Sequence, residues 1–207
     1  MKFEFSVEKD LNEILKIINT FIDTKPIFNS LDNSLILNCD NNKIQSIINW
    51  IREKVNKKEI MFDIIFSMSR NGFKSEDFHK LCDNKGPTLT IVKTDKNKIF
   101  GGFTPLDWNC KGGTIYDESK RTFIFSLDLM KKFEMINIKK KAIRCESDHG
   151  PIFGDYDIGL HKDMKEGQIY ANTTCNFMSN NNLELTGGKG DNENFKTEEL
   201  EVYRVIY

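Results

Sequence analysis

The chain has 207 residues, of which 39% are hydrophobic and 29% are charged, a balance typical of a globular protein rather than a disordered one. This length suits one domain and leaves little room for a second. The 30 Lys and Arg residues against 31 Asp and Glu residues give a net charge of −1. That balance excludes a protein held on nucleic acid by bulk charge and leaves only a local basic patch.

The sequence gives no sign of a membrane span or a signal peptide. Its apolar runs stay well short of the roughly 18 residues that cross a bilayer, and the opening residues MKFEFS lack the apolar run of a signal peptide. The cysteines are odd in number and far apart, so we expect reduced thiols in a cytosolic protein rather than a disulfide framework. They are Cys39, Cys82, Cys110, Cys145 and Cys175.

Apolar residues at helical spacing predict three helices in the first half of the chain. The first covers residues 6–22 and ends before Pro26, because the residue before a proline is pushed out of the helical region. The second has Asp40 or Asn41 as its N-cap, and a short third helix begins at Ser75. The apolar stripe of the second helix consists of Ile44, Ile47, Ile48, Ile51 and Val55.

From residue 60 onward the period of the apolar residues changes from that of a helix to that of a strand. Strands are predicted over residues 60–68, 88–94, 98–104, 122–127, 141–145, 156–161, 168–171 and 199–207. Gly101-Gly102 inside one of them indicates a bulge or a close backbone approach. Helices followed by antiparallel strands predict an α+β fold, a sheet or sandwich with helices to one side.

Two residues at a predicted strand-to-loop corner are the catalytic candidates. Asp148 and His149 have the residue types of an acid–base pair, and a nearby Cys or Ser would complete a nucleophilic site. No nucleophile-elbow motif accompanies them, so roles in a turn compete with catalysis. Two His/Cys pairs are too irregular in spacing for structural zinc, so we expect no metal site and no cofactor. These pairs are His79 with Cys82 and Cys145 with His149.

One stretch of the chain concentrates basic residues around an aromatic side chain, Phe133. This combination can bind single-stranded nucleic acid through phosphate attraction and base stacking. A solvated loop before a strand is the more common origin of such a stretch. The basic residues are Lys131, Lys132, Lys139, Lys140, Lys141 and Arg144.

Eight short motifs follow one another in a particular order along the chain. They are SRNGF (69–73), FHKLCD (78–83), KGPTLT (85–90), KIFGGFT (98–104) with Trp108 soon after it, FIFSL (123–127), GPIFG (150–154), LTG (185–187) and EVY (201–203). Their order resembles that of the TLDc domain, which is found in oxidation-resistance proteins. The resemblance covers residues 30–207 as one TLDc domain and leaves residues 1–29 as an N-terminal amphipathic helix and connector.

The TLDc resemblance implies both a fold and a function. The implied fold is two antiparallel β-sheets packed as a sandwich with flanking short helices, in which Gly154 and Gly187 adopt positive φ at turns. The implied function is a non-enzymatic interaction module involved in oxidative-stress resistance. Several family members bind the vacuolar proton-pumping ATPase (V-ATPase), so its peripheral subunits are the expected partner. The resemblance carries over no catalytic residue.

The residues expected to contact such a partner lie in loops between the predicted strands, over 104–116, 148–155 and 180–194. Trp108 suits an interface hot spot, although a buried Trp that closes one end of the sandwich is an equal alternative. Cys110, in a Gly-rich loop, is also the best exposed candidate for a redox-active thiol. The full set of candidate contact residues is Trp108, Cys110, Phe153 and Asp155.

Two other functions remain open at the level of the sequence. One is a hydrolase or redox enzyme that uses Asp148 and His149, and the other is a stress-related nucleic-acid-binding protein that uses the basic stretch. We expect a cytoplasmic protein, recruited to vesicle or lysosome-like membranes where it binds the V-ATPase. A nuclear location would go with nucleic-acid binding.

Overall fold

The computed structural model describes residues 30–109, 111–170, 176–177, 185 and 192–207. The helix predicted over residues 6–22, the candidate Cys110 and most of the predicted loop 180–194 lie outside the described residues. The helical segments of the described part are a 3-10 turn at Ser30–Asn33 and the helices α1 (Asn41–Val55), α2 (Met68–Asn71) and α3 (Ser75–Cys82). None of the helices in that part is long and apolar enough to span a bilayer.

Eleven strands in the described residues form two antiparallel sheets that share their longest strand. The strands are β1 (Met61–Ser67), β2 (Thr88–Thr94), β3 (Ile99–Thr104), β4 (Gly113–Ile115), β5 (Phe123–Ser126), β6 (Lys131–Glu134), β7 (Ile143–Cys145), β8 (Ile152–Phe153), β9 (Ile158–Leu160), β10 (Glu166–Tyr170) and β11 (Asn192–Ile206). The first sheet has the order β1-β11-β2-β3-β5-β6, and the second has the order β4-β7-β8-β9-β10-β11. Two antiparallel sheets with a few short helices confirm the predicted α+β fold class.

Strand β11, which is 15 residues long, joins the two sheets because different parts of it pair with different neighbours. Its first part pairs with β10, with Lys196 opposite Glu166, and the rest runs between β1 and β2. The change of partners coincides with a register irregularity between Thr197 and Glu199. Irregularities of this kind bend a strand and let it serve two sheets.

The inner faces of the two sheets enclose a core rich in Phe and aliphatic side chains. It includes Phe100, Ile124 and Val202 from the first sheet and Ile143, Phe153 and Leu160 from the second. Trp108 closes this core, and its Nε1 donates a hydrogen bond to Oγ1 of Thr88 at 2.8 Å. Because burial of each large apolar side chain contributes about 2 kcal/mol, this core holds the two sheets face to face.

Helix α1 covers the opposite face of the first sheet. Its predicted aliphatic stripe, which runs from Ile44 to Val55, is buried against that face beside Phe62. The carboxylate of Asp40 accepts a hydrogen bond from the backbone N–H of Asn42 at 3.1 Å, as an N-cap residue does. The stripe and the cap predicted from the sequence are both confirmed.

Gly102 lies where β3 passes close to the second sheet. A Cβ atom at this position would lie 2.6 Å from Cε1 of Phe153, well inside van der Waals contact. The predicted close approach is therefore confirmed at Gly102. The predicted positive φ is confirmed at Gly154, whose φ is 65°, whereas Gly187 lies outside the described residues.

The predicted strands differ from the structure at the shortest strands and at the start of the longest one, since β11 was predicted to begin at residue 199 and begins at Asn192. The sequence pattern misses β4, β6 and β8, whose two to four residues are too few to show an alternation. The strands predicted to begin at residues 141 and 156 begin at Ile143 and Ile158. Directly after β1 the chain forms the single helical turn α2, so Met68, predicted as the last residue of the strand, lies in a helix.

Candidate functional site

The loop that follows β7 carries both catalytic candidates and is held from below by a buried histidine. Nε2 of His79 lies 2.9 Å from the carbonyl oxygen of Glu146 and 3.1 Å from that of His149. Its Nδ1 lies 2.8 Å from Oδ1 of Asp83, at the end of α3. Since His79 is only 8% exposed, it ties α3 to this loop from inside the protein.

A network of charged side chains surrounds this loop on the second sheet, and we call its members the polar cluster. They are Lys141, Arg144, Glu146, Asp148, His149, Asp155 and Tyr156. Nζ of Lys141 lies 2.7 Å from Oδ1 of Asp155. The guanidinium of Arg144 bridges Asp155, at 3.5 Å, and Glu146. Because both of these cations have carboxylate partners, the cluster is bound together by its own charges.

His149 lies at the centre of the polar cluster, with partners at both ring nitrogens. Its Nδ1 lies 2.9 Å from Oδ1 of Asp148 and 3.1 Å from Oε2 of Glu146. Its Nε2 lies 3.3 Å from the hydroxyl of Tyr156, which donates to Oε2 of Glu146 at 3.2 Å. The hydrogen bond from His149 holds the pKa of the Asp148 carboxyl below its ordinary value.

Tyr156 stays protonated in this setting. Burial, together with the negative charge of Glu146, raises the pKa of Tyr156 to about 12. Its hydroxyl is therefore a neutral hydrogen-bonding group near neutral pH. The guanidinium carbon of Arg144 also lies 5.4 Å from the centre of the Tyr156 ring, within the range of a cation–π contact.

The turn between β8 and β9 is held by a buried carboxylate, that of Asp157. It accepts hydrogen bonds from the backbone N–H groups of Phe177 at 2.8 Å, Asn176 at 3.1 Å and Asp155 at 3.2 Å. Tyr156 has a φ of 67°, which is uncommon for a residue with a large side chain. The bonds to Asp157 support that conformation, so Asp155 and Tyr156 project from a fixed base.

The chain that builds this fold and site matches a known domain family. The family model described as the TLDc domain matches residues 31–206. The chain belongs to the TLDc domain family. A protein of Danio rerio named MTOR-associated protein MEAK7 is 27% identical to it over 155 residues, which are 69% of this chain and 32% of that protein. The chain thus spans about a third of the length of this curated relative.

The TLDc fold brings together residues that the sequence assigned to three different functions. Asp148 and His149 were candidates for an acid–base pair, and Asp155 was a candidate for partner binding. Lys141 and Arg144 belonged to the basic stretch. The contacts between these side chains place all five in the polar cluster, so each of the three hypotheses contained part of one site.

Two members of the polar cluster, Glu146 and Tyr156, were missed by sequence reasoning. Glu146 has a usable signal, because it lies three residues before His149 and a turn brings such residues together. The backbone N–H of His149 indeed bonds to the carbonyl of Glu146 at 3.1 Å. Tyr156 has no such signal, since it reaches His149 only through the turn between β8 and β9.

The basic stretch does not form one patch, and that expectation is corrected. Lys131 and Lys132 lie on β6 at the edge of the first sheet, while Arg144 lies on β7 in the second. Nζ of Lys132 is 2.8 Å from Oε2 of Glu53 on α1, so its charge is paired. The stretch is divided because the chain crosses from one sheet to the other between β6 and β7. Its other lysines lie in the connecting segment and are Lys139, Lys140 and Lys141.

Two of the predicted partner-binding residues are core residues. Trp108 and Phe153 are 1% and 0% exposed, and their rings meet edge to face with centroids 5.5 Å apart. The alternative of a buried Trp that closes the sandwich is confirmed, and neither side chain has surface to offer a partner in this fold. Asp155 remains a surface candidate. Cys110 lies outside the described residues.

Within the part of the chain that the structure describes, the polar cluster provides an acid–imidazole pair without a Ser or Cys nucleophile bonded to it. Among the described residues, no Ser hydroxyl or Cys thiol is hydrogen-bonded to His149. Burial raises the pKa of the Cys145 thiol to about 11 and raises that of Cys82 as well, so neither is a ready thiolate near neutral pH. Asp148 and His149 line none of the described clefts of about 320, 610 and 680 Å³. These observations give the hydrolase alternative no support.

Three members of the polar cluster could hold a divalent cation. Glu146, Asp148 and His149 each offer one ligand atom, and these atoms lie within 4.8 Å of one another. Of the two His/Cys pairs noted in the sequence, only His149 belongs to this set, because both nitrogens of His79 already have protein partners and the thiols of Cys82 and Cys145 are buried. The expectation of no metal site is therefore open to test.

Proposed function

We propose that this TLDc domain is a non-enzymatic interaction module that binds peripheral subunits of the V-ATPase and thereby affects resistance to oxidative stress. The observation that carries the proposal is the TLDc match over residues 31–206. The choice of partner rests on the resemblance to TLDc proteins that bind the pump. The relative from Danio rerio is named an MTOR-associated protein, which supports a role in regulatory protein assembly. The proposal implies a cytoplasmic protein that its partner recruits to vesicle or lysosome-like membranes.

The polar cluster is the surface that we assign to the partner. Arg144 and Asp155 are half-buried, so they combine a fixed position with access from solvent. Arg144 has five N–H donors, and its 3.5 Å contact to Asp155 is longer than a direct hydrogen bond. A partner carboxylate can therefore replace this contact. Charge complementarity of this kind gives an interface its specificity and speeds association.

A pulldown of tagged protein from its own cells, with and without peroxide and read by mass spectrometry, tests the proposal. Two variants with the same change of charge are compared with the wild type. Arg144→Glu reverses a charge within the polar cluster, and Lys131→Glu reverses an exposed charge on β6 in the other sheet. We expect Arg144→Glu to recover about tenfold less of the V-ATPase peripheral subunits, and Lys131→Glu to recover as much as the wild type. A thermal melt of each variant checks that the fold is retained.

The outcomes of the pulldown separate the partner from the binding surface. Loss of pump subunits with both variants, or with neither, would move the binding surface away from the polar cluster. Absence of pump subunits from the wild-type pulldown would contradict the proposal itself, and recovery of nucleic acid would favour the nucleic-acid alternative. Survival of cells in peroxide, measured with the same variants, tests the link to oxidative stress.

A further inference from the structure

Two carboxylates converge on one ring nitrogen in the loop after β7. Oδ1 of Asp148 lies 2.9 Å from Nδ1 of His149, and Oε2 of Glu146 lies 3.1 Å from the same atom. We propose that these three side chains form a binding site for a divalent cation, with Zn²⁺ as the expected ion. The site lies within the polar cluster but uses only ligand atoms of this chain, so metal binding can be measured without the proposed partner.

The spacing of the three donor atoms is close to that of ligands around a metal. Zinc–nitrogen and zinc–oxygen bonds of about 2.0–2.2 Å place tetrahedral ligands about 3.3–3.6 Å from one another. The distances of 2.9 Å and 3.1 Å from Nδ1 of His149 therefore need to lengthen by only a few tenths of an ångström. Asp148 can supply that movement because its side chain is 65% exposed.

A cation at this point also satisfies the charges of the loop. Two neighbouring carboxylates repel each other unless positive charge lies between them. A neutral imidazole that carries its proton on Nδ1 has one N–H there and can serve only one of the two carboxylates fully. A metal ion bound to Nδ1 of His149 would serve both Glu146 and Asp148.

The residues around the three ligands make the hydrogen bonds that usually orient the ligands of a metal site. The guanidinium of Arg144 holds Oε1, the second carboxylate oxygen of Glu146. The hydroxyl of Tyr156 lies 3.3 Å from Nε2 of His149, where it can accept the N–H of a ring whose Nδ1 binds metal. Metal-binding histidines almost always use their second nitrogen in a hydrogen bond of this kind. Beneath the loop, His79 anchors the backbone carbonyls of Glu146 and His149.

The donor set favours zinc over harder and softer ions. One imidazole and two carboxylates are ligands that Zn²⁺ accepts, whereas Ca²⁺ and Mg²⁺ prefer oxygen ligands only and Cu⁺ prefers sulfur. Cys145 directly precedes Glu146, but its side chain is buried in the core between the two sheets and is not among the ligand atoms that converge in the loop. Three protein ligands leave one tetrahedral position for water.

The test titrates the full chain, freed of metal with a chelator, with Zn²⁺ by calorimetry and with Co²⁺ as a spectroscopic probe. We expect a single site of micromolar affinity, and a visible Co²⁺ spectrum typical of tetrahedral nitrogen and oxygen ligands. His149→Ala and Asp148→Asn should each weaken binding by at least about tenfold, and Tyr156→Phe by less. His161→Ala is the matched control, because its ring lies 6.1 Å from that of His149 but outside the ligand set. The affinity of His161→Ala for Zn²⁺ should equal that of the wild type.

Melting temperatures of the metal-free variants show whether any loss of binding comes from unfolding. Failure of the folded wild-type chain to bind Zn²⁺ or Co²⁺ at micromolar concentrations would overturn the proposal. Binding that His149→Ala leaves intact would overturn it too, as would a thiolate-to-cobalt charge-transfer band, which assigns the metal to a cysteine. None of these outcomes depends on the V-ATPase, so the metal site and the partner proposal stand or fall separately.

Discussion

The two sides of the loop after β7 use the same residue type in opposite ways. Below the loop, the buried ring of His79 is bonded to the carboxylate of Asp83 at the end of its own helix and to two backbone carbonyls of the loop. Above it, the ring nitrogens of the partly exposed His149 lie against the side chains of Glu146, Asp148 and Tyr156. Backbone partners are fixed by the fold, whereas side-chain partners can rotate away and be replaced. His79 is therefore a fixed part of the framework, whereas His149 is available to a ligand.

The largest loss of stability should come from a substitution in the core between the two sheets. Trp108→Ala removes an indole that packs edge to face against Phe78 and Phe153, with centroids 5.7 Å and 5.5 Å away, and takes a hydrogen-bond donor from Thr88. We expect the free energy of unfolding in urea to fall by about 4 kcal/mol. Tyr116→Ala, which removes a half-exposed aromatic side chain, should change it by less than about 0.5 kcal/mol. Equal losses in the two variants would contradict the assignment of Trp108 to the core.

An intermediate loss of stability is expected from His79→Ala, and the substitution should also loosen the loop after β7. The substitution removes the imidazole from the carboxylate of Asp83 and from two backbone carbonyls, of which that of Glu146 keeps the N–H of His149, and the loss should cost about 2 kcal/mol of unfolding free energy. Because those carbonyls belong to Glu146 and His149, amide hydrogen exchange in the loop should also become faster. His161→Ala should leave this exchange unchanged. Lower stability without faster exchange would show that His79 does not hold the loop.

The smallest effect is expected at the partly exposed His149. His149 holds the pKa of Asp148 below its ordinary value of 3.8, so this pKa should rise toward 3.8 in His149→Ala. An NMR titration of the carboxyl carbon measures it. A lowered folded-state pKa contributes stability above the ordinary pKa, and the contribution is lost as the pH falls through the lowered value. Stability should therefore depend less on pH in that acidic range in the variant. An unmoved pKa would mean that the ring and the carboxylate do not interact in solution.

The parts of the fold that could be predicted are those with a local period. Helix α1 and strands β1 and β2 repeat an apolar pattern long enough to read, whereas β8 has only two residues. The first part of β11 has the sequence NENFKTE, whose polar residues indicate a loop. It forms a strand because β10 and β2 offer it backbone partners. Such long-range pairing has no local signal.

The polar cluster could be predicted only in part, because residue type indicates chemistry but not which side chains meet. Asp148 and His149 are neighbours in sequence and were found together. Tyr156 joins them through a turn that the buried Asp157 supports, and that burial depends on the packing of the second sheet. In the basic stretch, closeness in sequence does not bring side chains together. Lys132 is close to Arg144 in sequence but lies in the other sheet.

Strand β11 comes after every other strand of the domain in the sequence, yet it lies between β1 and β2 and also extends β10. A ribosome therefore releases all the partner strands before the one that connects them. Until Asn192–Ile206 has left the exit tunnel, those strands present unpaired backbone N–H and C=O groups that other chains can bind. The nascent domain consequently finishes folding only after β11 emerges, and its strand edges are open to association with other chains during that interval.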